Sequence, residues 1–174
     1  MTRQDIFTIS NLFSFIRIFL VIPIFFLIAE DNQILLLLFI IFAIATDMLD
    51  GYLARKFNQI TMLGKILDPL ADKICVAGGL IALTMYKGFP WWLMIIIVVR
   101  DIIIIAGSIV IYIRKKFVAP SNRPGKITVF LIAILAISHI LAIDWISDPL
   151  SVVVLAMIIY SAIRYGAAFF KNLK

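Results

Sequence analysis

Apolar residues fill long runs of this chain, and short polar stretches separate them. Six such runs can be drawn, at Ile6–Ala29, Gln33–Leu53, Asp68–Tyr86, Pro90–Ile113, Ile127–Ile143 and Pro149–Phe170. Each approaches the roughly 20 residues that an α-helix needs to cross a hydrocarbon core. The pattern predicts an all-α integral membrane protein of about six transmembrane helices, forming one domain over residues 1–174. Met1–Asn11 is more polar than the rest of the first run and is expected to form a short interfacial helix that bends into the membrane. The first run continues past Pro23 without a small-residue cleavage site, so it is expected to be a retained span, kinked at the proline. Ala119–Gly125, with two prolines, Asn122 and Gly125, is expected to be a loop. No internal repeat or low-complexity tract is visible.

The polar connections alternate in charge. Glu30 and Asp31 follow the first run; Arg55, Lys56 and Lys65 follow the second; Lys87 follows the third. Arg114, Lys115, Lys116, Arg123 and Lys126 follow the fourth, Asp144 and Asp148 flank the next turn, and Lys171 and Lys174 end the chain. Lys and Arg concentrate on the cytoplasmic side of membrane proteins, so both termini are expected in the cytoplasm of a multi-pass protein of the plasma or inner membrane. Composition agrees, with 64% hydrophobic and 15% charged residues, where a soluble domain is about half apolar. The formal net charge of +6 reads as topology and attraction to anionic membrane lipids. No basic face is long enough for nucleic acid, and no nucleic-acid partner is expected. Cys75 is the single cysteine, which excludes an internal disulfide.

Within this apolar background four aspartates stand close together, in Asp47-Met-Leu-Asp50-Gly51-Tyr-Leu-Ala54-Arg55 and Gly64-Lys-Ile-Leu-Asp68-Pro-Leu-Ala-Asp72. An ionisable side chain in a membrane segment costs roughly 2.5–3.5 kcal/mol on insertion scales. Four would repel one another unless cations sat between them, and carboxylate oxygens suit hard divalent ions such as Mg²⁺ or Mn²⁺. Asp47 and Asp50 are three apart and Asp68 and Asp72 four apart, so each pair shares one helix face. Gly51 and Ala54 continue the first face with small residues that allow close approach. Two such pairs from adjacent antiparallel helices would clamp one or two ions. The plainer reading is capping and pairing with Arg55, Lys65 and Lys73. Asp68 before Pro69 does read as an N-cap followed by proline at the first helical position.

The run from Asp47 to Asp72 reads D-x2-D-G-x2-A-R-x8-G-x3-D-x3-D, with eight fixed positions. It resembles the signature of the CDP-alcohol phosphotransferase family of integral membrane enzymes. The resemblance extends to six spans with the signature across the second and third. It implies transfer of a substituted phosphate from a CDP-linked donor, commonly CDP-diacylglycerol, to a polar alcohol acceptor, with release of CMP. It also implies Mg²⁺ or Mn²⁺, with two ions expected, and a homodimer. By the same resemblance Asp47, Asp50, Asp68 and Asp72 are the metal ligands and Asp72 also the catalytic base. Gly51, Ala54, Arg55 and Gly64 are the CDP-binding positions. The chemistry agrees with the residue types. A pyrophosphate leaving group needs its charge neutralised, an acceptor hydroxyl needs a base, and a guanidinium offers bidentate donors to phosphate.

The acceptor is less sharply written. Arg100-Asp101 lies in the middle of the fourth span, as a self-neutralising structural pair or as part of a polar cavity, and Arg17 raises the same question in the first. Ser121, Arg123 and Lys126, with Thr128 following, supply donors that suit an acceptor phosphate, though the cations also serve as topology markers. Arg100, Ser121, Arg123 and Lys126 are therefore the acceptor candidates. Asn11-Leu…Arg17…Pro23 and Gly125-Lys126-x-Thr128 are similar to phosphatidylglycerophosphate synthases and to CMP-forming cardiolipin synthases. The former usually carry Arg-Glu where this chain has Arg100-Asp101, which leans toward the latter. Glycerol 3-phosphate is placed slightly ahead of phosphatidylglycerol as acceptor, with inositol-phosphate transfer third.

A cation transporter using the same carboxylates is the non-enzyme alternative. The lack of a visible repeat and the clustering of the acids at one end speak against it. His139 is the only histidine and lies toward the far side, away from the aspartates. Trp91, Trp92 and Trp145 fall where an aromatic belt is expected. Gly78-Gly79 and Gly107-x-x-x-Ile111 suggest close helix packing.

Overall fold

The structure is a computed structural model that describes the backbone of residues 9–56, 64–115 and 123–173, with side chains described for 15–43, 45, 70–107 and 123–166. Among the described residues there are six helices and no strand: α1 (Ile9–Ala29), α2 (Gln33–Lys56), α3 (Gly64–Tyr86), α4 (Trp91–Lys115), α5 (Arg123–Ile140) and α6 (Asp144–Leu173). They coincide one for one with the six apolar runs. α1 passes through Pro23 as one helix. The interfacial helix expected over Met1–Asn11 falls mostly outside the described residues, since α1 begins at Ile9.

Three helices start four or five residues earlier than expected: α3, α5 and α6, the last at Asp144 rather than Pro149, so that Asp144 and Asp148 belong to its first turns. α3 starts at Gly64, so Asp68 is inside the helix and does not cap it. Pro69 therefore stands at the sixth position of α3, beyond the first turn where proline is usual. α5 starts at Arg123, so Arg123, Pro124 and Gly125 belong to its first turn rather than to a loop, while 119–122 lie outside the described residues. Pro124 suits that place because the first N–H groups of a helix have no partner to lose.

The chain divides into two compact units, Met1–Ala82 and Leu83–Lys174. In the first, α1 packs on α2 around Ile24, Leu27, Ile28 and Leu36, all buried. The turn between them is tight. Asp31 adopts a positive φ of 57°, and Asn32 Oδ1 accepts the Leu35 N–H at 3.2 Å, the capping role its short polar side chain favours. α1 also meets α3 closely, with Val21 lying against Gly78.

Gly78 and its neighbour make a paired test. A Cβ at Gly78 would run into Val21 Cγ1, whereas one at Gly79 would meet nothing within 4 Å. Valine cannot yield readily, because its β-branch has one favoured rotamer in a helix. Gly78→Ala should therefore lower the thermal unfolding midpoint in detergent, with an overpacking loss of about 1–3 kcal/mol set against about 1 kcal/mol gained from alanine's helix propensity. Gly79→Ala should leave the midpoint unchanged or raise it. Equal midpoints for the two variants would mean that α1 and α3 do not touch there.

In the second unit α6 packs on both α4 and α5. Its core is Phe89, Leu93, Ile97, Leu135, Val154 and Ile158. Hydroxyls between the helices are satisfied locally. Ser147 donates to Ser138 Oγ at 2.9 Å, Ser151 to the Ser147 carbonyl at 2.8 Å, and Thr128 to the Pro124 carbonyl at 2.9 Å. Small hydroxyl residues at helix contacts are the usual packing device of membrane bundles. His139 Nδ1 lies 3.3 Å from the Lys87 carbonyl, and its ring packs against Phe89 with centroids 5.0 Å apart and planes tilted by 56°. The turn after α3 and the end of α5 therefore meet. Gly88, at φ 68°, makes that turn.

The outer surface is apolar. Phe19, Ile34, Ile41, Ile103, Phe130 and Val152 are all exposed, far more apolar surface than a soluble monomer shows. Among the described residues, Arg123–Ile140 and Asp144–Gly166 are long and apolar enough to cross a membrane, and Phe15–Ala29 and Gln33–Ala43 are shorter apolar helices. Trp91 and Trp145, at the starts of α4 and α6, are exposed.

Candidate functional site

The signature falls on two helices. The backbones of Asp47, Asp50, Gly51, Ala54 and Arg55 belong to the last turns of α2, and those of Gly64, Asp68 and Asp72 to the first turns of α3. Each element is apolar before or after these positions, so the acids stand at the C-terminal end of α2 and the N-terminal end of α3. The side chains of Asp47, Asp50, Ala54, Arg55 and Asp68 lie outside the described residues. Asp72 is the signature aspartate whose side chain is described. For that reason no group of three or more His, Cys, Asp or Glu side chains close enough to hold a metal occurs among the described residues. The donor set itself, four carboxylates at one end of two helices, fits a hard ion such as Mg²⁺ or Mn²⁺.

Asp72 is exposed and has an arginine against it. Its side chain keeps 59% of its surface exposed, and Arg17 Nη1 of α1 donates to its Oδ1 at 3.2 Å. Arg17 itself is buried, at 9% side-chain exposure. Sequence reasoning noticed Arg17 as a charge in an apolar helix but did not connect it with Asp72. Only helix packing brings together residues 55 positions apart. The signal that could have found the pair was the need of each for a partner of opposite sign in an apolar setting.

The acceptor candidates lie in the second unit, apart from Ser121, which is outside the described residues. Arg100 and Asp101 are buried together, with Arg100 Nη1 donating to Asp101 Oδ1 at 2.7 Å. Arg100 Nη2 reaches Ser161 Oγ of α6 at 3.4 Å, while its Nε is buried without a hydrogen-bond partner. One end of this guanidinium is thus committed to its own neighbour. Arg123 and Lys126 are exposed in the first turn of α5. Gly125 between them faces Tyr165 of α6, and a Cβ there would lie 2.8 Å from the Tyr165 hydroxyl. Gly125 therefore admits Tyr165 against the start of α5, beside the two cations. Neither the periodicity nor the motif pointed to Tyr165. His139 is packed against Phe89 and Lys87 in the second unit, which agrees with a structural role.

Comparison with known proteins adds the family. The family model described as CDP-alcohol phosphatidyltransferase matches residues 7–168. The chain is similar to the CDP-diacylglycerol–glycerol-3-phosphate 3-phosphatidyltransferase of Aquifex aeolicus, at 31% identity over 172 residues, covering 94% of this chain and 96% of that protein. It is similar to the protein of the same name from Bacillus subtilis, at 36% identity, covering 78% of this chain and 71% of that protein. A third relative is the cardiolipin synthase (CMP-forming) / mitochondrial hydrolase fusion protein of Schizosaccharomyces pombe, at 37% identity over 66% of this chain and 19% of that protein. With the eight-position signature complete and the family model running through all six helices, the chain belongs to the CDP-alcohol phosphatidyltransferase family.

Proposed function

We propose that this chain is a multi-pass membrane enzyme that transfers the phosphatidyl group of CDP-diacylglycerol to glycerol 3-phosphate and releases CMP. The observation that carries the reading is the match along nearly the whole length of a relative bearing that activity in its name. The complete signature supports it from the residues. In this reading the acceptor hydroxyl oxygen attacks the phosphorus that bears the diacylglycerol. The bond from that phosphorus to the bridging oxygen breaks, CMP leaves with the electron pair, and Asp72 takes the hydroxyl proton. Asp47, Asp50, Asp68 and Asp72 hold Mg²⁺ or Mn²⁺, and Gly51, Ala54, Arg55 and Gly64 receive the CDP moiety. The ions, when bound, supply the positive charge that a departing phosphate requires. Residues of this chain supply the rest, namely a base and a guanidinium that grips phosphate oxygens.

The same reading puts both termini in the cytoplasm, as the alternating charge of the connections supports. It places six spans in a cell membrane, which the apolar outer surface favours. It takes residues 1–174 as one functional domain working as a homodimer, and the family model, which runs across both compact units, accords with the single domain.

Of the candidate cations for the acceptor phosphate, Arg123 and Lys126 are exposed, whereas Arg100 is engaged with Asp101. Lys126→Ala should raise the KM for glycerol 3-phosphate roughly tenfold to a hundredfold, the equivalent of one charge-assisted contact of about 1.5–3 kcal/mol. The KM for CDP-diacylglycerol should move little. Arg100→Ala is a poor probe, because it also removes the guanidinium buried against Asp101. Asp101 in place of the more usual glutamate favours a second reading, CMP-forming cardiolipin synthesis from phosphatidylglycerol. An acceptor panel assayed by CMP release decides. Turnover with glycerol 3-phosphate supports the first reading, and turnover with phosphatidylglycerol alone replaces it with the second.

A further inference from the structure

We infer that Arg17 is a positioning residue for Asp72, and that its guanidinium fixes the orientation of the carboxylate that takes the acceptor proton. The inference rests on the transferase reading above. Arg17 lies outside the eight-position signature, on a different helix, and three features of the structure single it out.

The first is burial. Arg17 sits in an apolar helix with 9% of its side chain exposed. An ionised group is retained in such a place when it has work to do there. The second is the asymmetry of the pair. The two charges of Arg100–Asp101 are buried alike, at 8% and 9%, as expected of a pair that neutralises itself within the bundle. Arg17–Asp72 joins a buried cation to a carboxylate that is 59% exposed. An open carboxylate needs no arginine to stay solvated, so what the pair adds to Asp72 is direction. The third is the helix contact that allows it. Val21, one turn along α1 from Arg17, lies against Gly78 of α3, where a side chain would hold the helices apart. The approach that lets Arg17 reach Asp72 is thus built into both helices.

A guanidinium is rigid, permanently charged and planar, and it holds a carboxylate oxygen along a defined direction. Reaction geometry is sensitive to such placement, and an error of about 1 Å costs roughly a hundredfold in rate. Arg17 acts through Asp72 and touches neither substrate.

The test uses the full chain in detergent micelles with CDP-diacylglycerol, glycerol 3-phosphate and Mg²⁺. Arg17→Gln should lower kcat roughly 10–100-fold while the donor KM stays within about threefold. Arg17→Lys, which keeps a cationic donor, should fall between it and the unaltered chain. A second measurement needs neither substrate nor metal. In excess chelator, Arg17→Gln should lower the thermal unfolding midpoint of the unaltered chain, and should lower it less or not at all in an Asp72→Ala background, where the partner is already gone. An Arg17→Gln variant with kcat within about twofold of the unaltered chain would overturn the role, as would equal losses of midpoint in the two backgrounds. If the unaltered chain released no CMP with any acceptor, the transferase reading would fall and the positioning role with it. An active chain with an indifferent Arg17 would refute the positioning role alone.

Discussion

Asp72→Asn should abolish turnover, with kcat falling about 10²–10⁴-fold, while CDP-diacylglycerol binds nearly as before. The magnitude is that of a general base removed from its transition state. Asparagine keeps the shape of the side chain, and its amide oxygen still accepts a hydrogen bond from Arg17, so the α1–α3 contact survives. What it loses is the ability to take a proton. With three signature aspartates left to hold the ions, the lost proton transfer should be felt in the transition state far more than in ground-state binding. Donor affinity and single-turnover rate should therefore be measured separately. Near-normal turnover by Asp72→Asn would show that another group is the base. Loss of donor affinity as large as the loss of rate would show that Asp72 acts chiefly as a ligand.

Removing divalent ions should be as severe. In excess chelator, CMP release should drop to background, and Mg²⁺ or Mn²⁺ should restore it. The expectation comes from charge. Of the four signature aspartates, Asp72 has an arginine at 3.2 Å. One guanidinium offsets one carboxylate, and a dianionic pyrophosphate would add further negative charge beside the rest. Asp47→Asn and Asp68→Asn should each raise the metal concentration for half-maximal activity by roughly tenfold or more, since a charge-assisted contact contributes about 1.5–3 kcal/mol. Full activity after dialysis against chelator would exclude the metal assignment.

Arg17 and Arg100 are each a cation within an apolar stretch of helix, and the structure pairs them differently. Arg100 has its counter-charge next to it in sequence and is buried with it. Arg17 finds its counter-charge on another helix, 55 residues away. The difference depends on which face each helix turns to its neighbours. The apolar helices carry little periodic signal of that face, because they are hydrophobic nearly all round.

The number and extent of the helices were legible because length and hydrophobicity are local properties. A run of about 20 apolar residues can satisfy its backbone polar groups in a membrane only as a helix. The signature was legible for the same reason, since its spacings of three and four residues are set within single helices. Helix starts were less so. Asp68-Pro69 has the chemistry of a cap, yet α3 extends back to Gly64. Nothing in the sequence separates Gly78 from Gly79. Only the packing of α1 puts Val21 against one and open space beside the other. The chain by itself therefore determined six apolar helices and the place of the acids on α2 and α3. The tertiary structure decided which charge lies against Asp72 and which pair is sealed into the bundle, because those outcomes depend on contacts between helices.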